Sequence, residues 1–338
     1  MKVLVCDEPG KFSYQQKSPP DAKTGDVIIR ITHVGICGTD LHAFEGTQPF
    51  FSYPRILGHE LAAVVEDPGG STEFSKGDVV TTVPYYYCGS CIACRNGKTN
   101  CCTSLKVAGV HIDGGMQELY AVPSYSLVHA EGLNPELLAL VEPLAIGAHG
   151  ISRAQIKKDE QVLIFGAGPI GLAAIMFARH AGADVIVADV NDGRLAFCEK
   201  LTGVKKLLNV KDSEFENKLA LFTNNEMAAV VIDATGSNKA INNAFKYIAH
   251  GGRYVLIGLQ KQDIVFSHPE FHKREATLMS SRNATIDDFR FVINAIKSGT
   301  VDPSGMITHR VEFDELAKQF PGWLHPDAGV VKAMVRIS

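Results

Sequence analysis

The chain has 338 residues, a formal net charge of −4, 46% hydrophobic and 21% charged residues. It is long enough for two domains of about 100–200 residues each, and its composition is that of an ordinary folded protein. Mild acidity gives no global electrostatic reason to expect nucleic acid or an anionic membrane as partner, and no stretch approaches the roughly 20 apolar residues of a transmembrane helix. Met1-Lys-Val-Leu-Val-Cys6 reads as a strand, not as the apolar run and cleavage site of a signal peptide, so a cytoplasmic location is the default expectation. Short β-branched runs at 27–31, 62–65, 78–82 and 119–122 predict further strands. Turn residues at 19–21, 68–70 and 76–78 separate them. Residues 1–150 therefore read as a mostly β domain, a partly open barrel.

Within that domain, residues 35–42 pack a thiol (Cys37), a hydroxyl (Thr39), a carboxylate (Asp40) and an imidazole (His42) into six positions. Glycines on either side of the thiol predict a tightly turned loop. His59 and Glu60 follow in Gly58-His59-Glu60, and Glu142 comes later. Cys, His and Glu are the ligand types of a catalytic zinc, which takes three protein ligands and leaves a position for water or substrate. Five of the eight cysteines, 88, 91, 94, 101 and 102, lie within fifteen residues. In a cytosolic chain this clustering indicates metal, not disulfides. Cys88, Cys91 and Cys94, joined by Cys101 or Cys102, predict a closed four-thiolate zinc site of structural type, although an iron–sulfur cluster uses the same ligands.

From residue 160 the pattern becomes strand–helix alternation. The apolar run 161–165 reads as a strand buried on both faces. Gly166-Ala-Gly168-Pro169-Ile170-Gly171 follows it, then a strong helix former at 172–179. The first glycine makes the turn, the second admits a pyrophosphate to the backbone, and the third packs helix on strand. The helix N-terminus supplies N–H groups and a positive dipole end. Asp189 closes the next strand, 184–189, 23 residues after Gly166, which is the context a dinucleotide fingerprint requires. Its carboxylate suits ribose hydroxyls and repels a 2′-phosphate, so NAD is expected over NADP; Arg194, in the following helix, reads as a surface charge. Strands at 206–209, 229–232, 253–257 and 277–280, with a helix at 238–248, complete a doubly wound parallel sheet. Thr235 and Gly258 fall at strand C-terminal ends, where ligands bind in such sheets. A helix at 286–298 and a last strand at 331–336 are expected to return to the first domain.

Taken in order, the zinc-ligand loop, the cysteine knuckle, the glycine-rich βαβ unit and a late Ser281-Arg282-Asn283 resemble the zinc-dependent medium-chain alcohol/polyol dehydrogenases over essentially the whole chain. The resemblance implies an α/β protein: a GroES-like catalytic domain at 1–150, completed by 283–338, and a Rossmann domain at 151–282. It implies two zinc ions, one catalytic on Cys37, His59 and either Glu60 or Glu142, and one structural on Cys88, Cys91, Cys94 and, by the family spacing, Cys102. Thr39 and His42 match the family's proton-relay positions. The family usually has glycine three residues after the Gly-His-Glu glutamate, where this chain has Ala63. The stretches 47–55, 109–115, 269–272 and 281–285 are similar to the bacterial L-galactonate/L-gulonate 5-dehydrogenase branch. That implies a sugar-acid or polyol substrate, with Arg282 gripping its hydroxyls or carboxylate and His111 and Asn283 as further pocket candidates. Gln48 and Phe50 are pocket-lining candidates as well. A dimer or tetramer is implied by the resemblance alone. A zinc-free quinone reductase of the same fold would not need the cysteines, and a non-enzymatic sensor would not need Thr39 and His42 beside Cys37.

Overall fold

A computed structural model describes residues 1–48 and 51–338. The candidate Phe50 lies outside the described residues. The chain divides into two units: residues 1–142 with 284–338, and residues 143–283. The first division falls eight residues before the expected one, inside the helix Val141–Ala154.

The first unit is built around the eleven-residue strand Asp26–Ile36. Val27, Ile29 and Ile31 are buried on one face, as a half-buried strand demands. On one edge it pairs antiparallel with Glu60–Asp67. Its other edge is shared: residues 26–30 pair with Leu119–Pro123, and residues 33–36 with Lys332–Arg336. A strand that pairs with different partners along its length bends the sheet, and the core of Leu4, Ile29, Ile31, Leu61, Met116 and Phe320 fills the curve. The full order runs Leu127–His129, Val79–Thr82, Glu60–Asp67, Asp26–Ile36, Lys332–Arg336, Ile307–Glu312. The last strand thus carries the C-terminal residues beside Cys37.

The second unit is a six-stranded parallel sheet in the order Lys206–Asn209, Asp184–Asp189, Gln161–Phe165, Ala228–Asp233, Ile248–Leu256, Thr277–Ser280. The chain order reverses between Gln161–Phe165 and Ala228–Asp233, which is where open α/β sheets bind ligands. Val162–Ile164 are wholly buried, in keeping with a strand covered on both faces.

Two sequence expectations are corrected. Residues 38–45 form a helix, Gly38–Glu45, with Cys37 in extended backbone as its N-cap; they are not a loop. The helix expected at 238–248 stops at Ala244, and Ile248 opens a strand. No helix among the described residues is long and apolar enough to cross a membrane.

Candidate active site

Two strands and one helix bring Cys37, His59 and Glu60 together. Cys37 follows the strand Asp26–Ile36 and caps Gly38–Glu45; Glu60 opens the neighbouring strand opposite Gly35. Asp40 fixes the two segments to each other. Its Oδ2 accepts the Cys37 N–H at 2.9 Å, and its Oδ1 accepts the Gly58 N–H at 3.1 Å. One wholly buried carboxylate therefore sets the spacing between Cys37 and the Gly58-His59-Glu60 turn. The ligand atoms of Cys37, His59 and Glu60 all lie within 4.8 Å of one another.

Glu60 has a partner with no signal in the sequence. Lys332, buried at the start of the last strand, donates from Nζ to both Glu60 oxygens, at 2.5 and 2.7 Å, and to the Ile36 carbonyl at 3.1 Å. A Cβ at Gly35 would sit 2.1 Å from Glu60 Oε2. The glycine before the thiol is there for clearance; the turn assigned to it from sequence does not exist.

Glu142 is the other candidate carboxylate. It lies in the first turn of Val141–Ala154, where the helix dipole favours an anion. Its Oε1 accepts a short hydrogen bond from the buried Tyr85 hydroxyl, while Oε2 is buried with no hydrogen-bond partner. Burial pushes this carboxyl up to about 7, and the charge of Glu60 adds to the rise; His59, Tyr85 and Lys332 act against it. His59 is buried too, and its Nδ1 has no hydrogen-bond partner, standing 3.9 Å from Asp40 Oδ1. Burial works to lower the imidazole, but the nearby Asp40, Cys37 and Glu142 outweigh it and hold it well above its ordinary value. A thiol, an imidazole and two carboxylates gathered with two orphaned buried atoms are a donor set that fits a divalent borderline-soft cation.

The second cluster is closed. Cys88, Cys91, Cys94 and Cys102 present four sulfurs within 4.8 Å of one another, with Cys91–Cys94 and Cys88–Cys102 at 3.5 Å. These separations exceed the roughly 2 Å of a disulfide, and they match the edges of about 3.8 Å of a tetrahedron with metal–sulfur distances of about 2.3 Å. Backbone N–H groups of Cys91, Cys88 and Ser104 point at Cys88 Sγ, Cys102 Sγ and Cys102 Sγ, a pattern that favours thiolates. Cys101 is exposed and stands outside the cluster, so Cys102 is the fourth member.

In the second unit, the glycine-rich turn joins the strand Gln161–Phe165 to the helix Pro169–His180. Gly166 sits at φ +100°, in the left-handed region. A Cβ on Gly171 would come within 1.9 Å of the Gly166 carbonyl oxygen. A Cβ on Gly168 would meet nothing within 4 Å, so the space beside this N-cap of the helix Pro169–His180 is open. Asp189 Oδ2 accepts the Ala167 N–H at 2.7 Å, tying the turn to the neighbouring strand. Ile170 lies in the first turn of that helix. Arg194 is exposed in the first turn of Asp192–Thr202. Thr235 donates to Asp233 Oδ1 at 2.5 Å, and a Cβ on Gly258 would collide with the Gly236 nitrogen at 2.2 Å. Both lie at the C-terminal ends of strands.

Residues 23–132 match the alcohol dehydrogenase GroES-like domain, and residues 169–298 match the zinc-binding dehydrogenase family. The L-galactonate-5-dehydrogenase of Escherichia coli K12 is 43% identical over 95% of this chain and 94% of its own. The chain belongs to the zinc-type alcohol dehydrogenases. It is an oxidoreductase acting on CH–OH groups. The 2-dehydro-3-deoxy-L-galactonate 5-dehydrogenase of Pseudoalteromonas atlantica is 32% identical over 83% of the chain and 82% of its own. Among solved structures, an alcohol dehydrogenase (rspB) of E. coli CFT073 complexed with NADH is similar, with a TM-score of 0.93, 28% identity, and coverage of 100% and 99%.

The remaining candidates of this dehydrogenase are placed as follows. Thr39 is half-buried in the first turn of Gly38–Glu45, and His42 is exposed a turn later with Nδ1 3.4 Å from Glu45 and 3.3 Å from Thr47. No direct hydrogen bond joins Thr39 to His42 among the described residues. His111 is exposed, and its Nδ1 accepts the Val107 N–H at 3.0 Å, a turn-stabilising role. Arg282 is exposed, and Asn283 takes a left-handed φ of +53°, which asparagine tolerates. Sequence reasoning missed Lys332 and Tyr85, because neither stands in a motif.

Proposed function

We infer that the protein oxidises a secondary alcohol of a sugar acid or polyol to the ketone, of the L-galactonate or L-gulonate type at C5, passing the hydride to NAD. The convergence of Cys37, His59 and Glu60 within 4.8 Å, with Glu142 alongside, carries this reading. The 43% identity to a relative named L-galactonate-5-dehydrogenase supports the substrate class. Cys37, His59 and one carboxylate would hold the catalytic zinc, and Cys88, Cys91, Cys94 and Cys102 the structural one. Of the two carboxylates, Glu60 has both oxygens on Lys332, whereas Glu142 Oε2 has no partner. Zinc, when bound, polarises the substrate oxygen and lowers the pKa of the alcohol. NAD, when bound, would supply the hydride-acceptor chemistry.

The chain's residues do the rest. Asp40 holds Cys37 and His59 in register. Lys332 supplies the buried counter-charge to Glu60 through both of its oxygens. Glu142 Oε2, which has no hydrogen-bond partner, is left available as the third ligand or as a proton acceptor beside it. Thr39 and His42 provide a route to solvent, His42 being exposed. Asp189 favours NAD over NADP, since a 2′-phosphate on the adenosine ribose would face the carboxylate. Arg282, with Asn283, is proposed to grip the substrate's hydroxyls or carboxylate. The division of labour is proposed to follow the two units, catalysis with the first and dinucleotide binding with the second. A cytoplasmic homo-oligomer, dimer or tetramer, acting on a small molecule is the accompanying proposal. A panel of aldonates, polyols and amino alcohols, read by NADH absorbance, tests the substrate class. Turnover of threonine or sorbitol with none of any aldonate overturns it.

A further inference from the structure

A third cluster lies outside both zinc centres. A ring nitrogen of His129 and carboxylate oxygens of Asp78 and Glu131 stand within 4.8 Å of one another. His129 ends the strand Leu127–His129, which pairs antiparallel with Val79–Thr82 through His129 and Val80. Asp78 immediately precedes one strand, and Glu131 lies two residues past the other. The pairing itself thus brings the three side chains to one end of the sheet.

The imidazole is fixed in two ways. It stacks on Phe74, with centroids 4.5 Å apart and planes at 23°. Its Nε2 lies 3.1 Å from the Glu73 carbonyl oxygen. A carbonyl only accepts, so Nε2 carries the proton, and in the neutral ring Nδ1 is a bare lone pair. That lone pair faces Glu131 Oε1 at 3.4 Å and Asp78 Oδ2 at 3.8 Å. Asp78 Oδ2 is itself pinned by the Ser75 N–H at 2.8 Å. Lys76, the neighbouring cation in sequence, is paired with Glu66 at 2.6 Å. Three acceptors facing one another need either a second proton on the ring or a cation between them. An imidazole that donates its far nitrogen to a backbone carbonyl has the orientation and tautomer of a metal-ligating histidine.

We propose that Asp78, His129 and Glu131 form a surface site for a divalent transition metal of the Zn(II) or Ni(II) kind. One imidazole with two carboxylates suits these ions over the all-oxygen preference of Mg(II) and Ca(II). Water completes the shell, because His129 and Glu131 are exposed. The ion would clamp the start of Val79–Thr82 to the end of Leu127–His129.

The test is equilibrium dialysis of the metal-loaded enzyme against excess Zn(II) at mildly alkaline pH, with zinc per chain read by elemental analysis. Wild type retains one equivalent more than His129→Gln and one more than Asp78→Asn. Both variants turn over substrate at the wild-type rate, and added Zn(II) raises the melting temperature of wild type but not of either variant. Equal zinc content in wild type and both variants overturns the site and leaves a simple imidazolium ion pair in its place.

Discussion

Lys332 Nζ bridges both carboxylate oxygens of Glu60, at 2.5 and 2.7 Å, across 272 positions of sequence. Both side chains are buried, and the contact closes the last strand onto the zinc-ligand turn. Replacing one partner of a buried pair leaves an uncompensated charge, at a cost of about 3–5 kcal/mol. Lys332→Met should destabilise the protein by that amount in urea unfolding. Adding Glu60→Gln should recover most of the loss, because the carboxylate left without its lysine is then removed. Equal instability of the single and double variants would show that the lysine acts through packing alone.

The two cysteine centres should respond differently. Cys37→Ser is predicted to lose one zinc per chain and essentially all turnover, with little change in melting temperature, since Asp40 still clamps the local backbone. Cys91→Ser is predicted to lose one zinc and to unfold at lower temperature, because structural zinc contributes directly to folding. Circular dichroism melts with elemental analysis separate the two. A Cys91→Ser protein as stable as wild type would contradict the structural role.

Glu142 supplies a pH signature. Its carboxyl is raised from 4.5 to about 7, chiefly by burial. In the metal-free protein the folded state keeps a proton between those values that the unfolded chain has released. The associated stability is therefore fully present below about pH 4.5 and is lost as pH rises through about 7. It amounts to about 3.5 kcal/mol at roughly 1.4 kcal/mol per pH unit. Metal-free wild type should lose more stability between about pH 5 and about pH 8 than metal-free Glu142→Gln. Parallel pH–stability curves for the two proteins would remove Glu142 as the titrating group.

The dinucleotide turn allows a sharp contrast. Gly171→Ala drives a methyl into the Gly166 carbonyl and should lower stability, whereas Gly168→Ala meets no protein atom and should leave it unchanged. Gly168→Ala should nevertheless weaken NAD binding at least tenfold, about 1.4 kcal/mol, because its methyl would occupy the space proposed for the pyrophosphate. Calorimetric titration with NAD checks the second effect and thermal melts the first. Unchanged NAD affinity in Gly168→Ala would place the phosphates elsewhere.

Most of the fold was legible because its signals are local. The run 161–165, the three glycines and Asp189 each carry their own pattern, and a parallel sheet follows from strand–helix alternation. The cysteine knuckle was legible by spacing, though nothing local distinguishes Cys101 from Cys102; only the fold exposes the first and turns the second inward. The helix Gly38–Glu45 was hidden by its opening glycine and its polar first turn. Its signal was the carboxylate three residues after the cap, Cys37 to Asp40, which accepts the Cys37 N–H. Lys332 and Tyr85 were illegible for a different reason. Each is an ordinary residue in a short strand, and each gains its role from a contact far away in sequence.

The central claim is that Cys37, His59 and a neighbouring carboxylate hold a zinc that serves sugar-acid oxidation. The most direct test is NADH formation by the zinc-loaded protein with L-galactonate or L-gulonate, run beside Cys37→Ser. The account predicts steady turnover with NAD that exceeds turnover with NADP and disappears in the variant. Undiminished turnover in Cys37→Ser, or none by wild type on any aldonate or polyol, would contradict it.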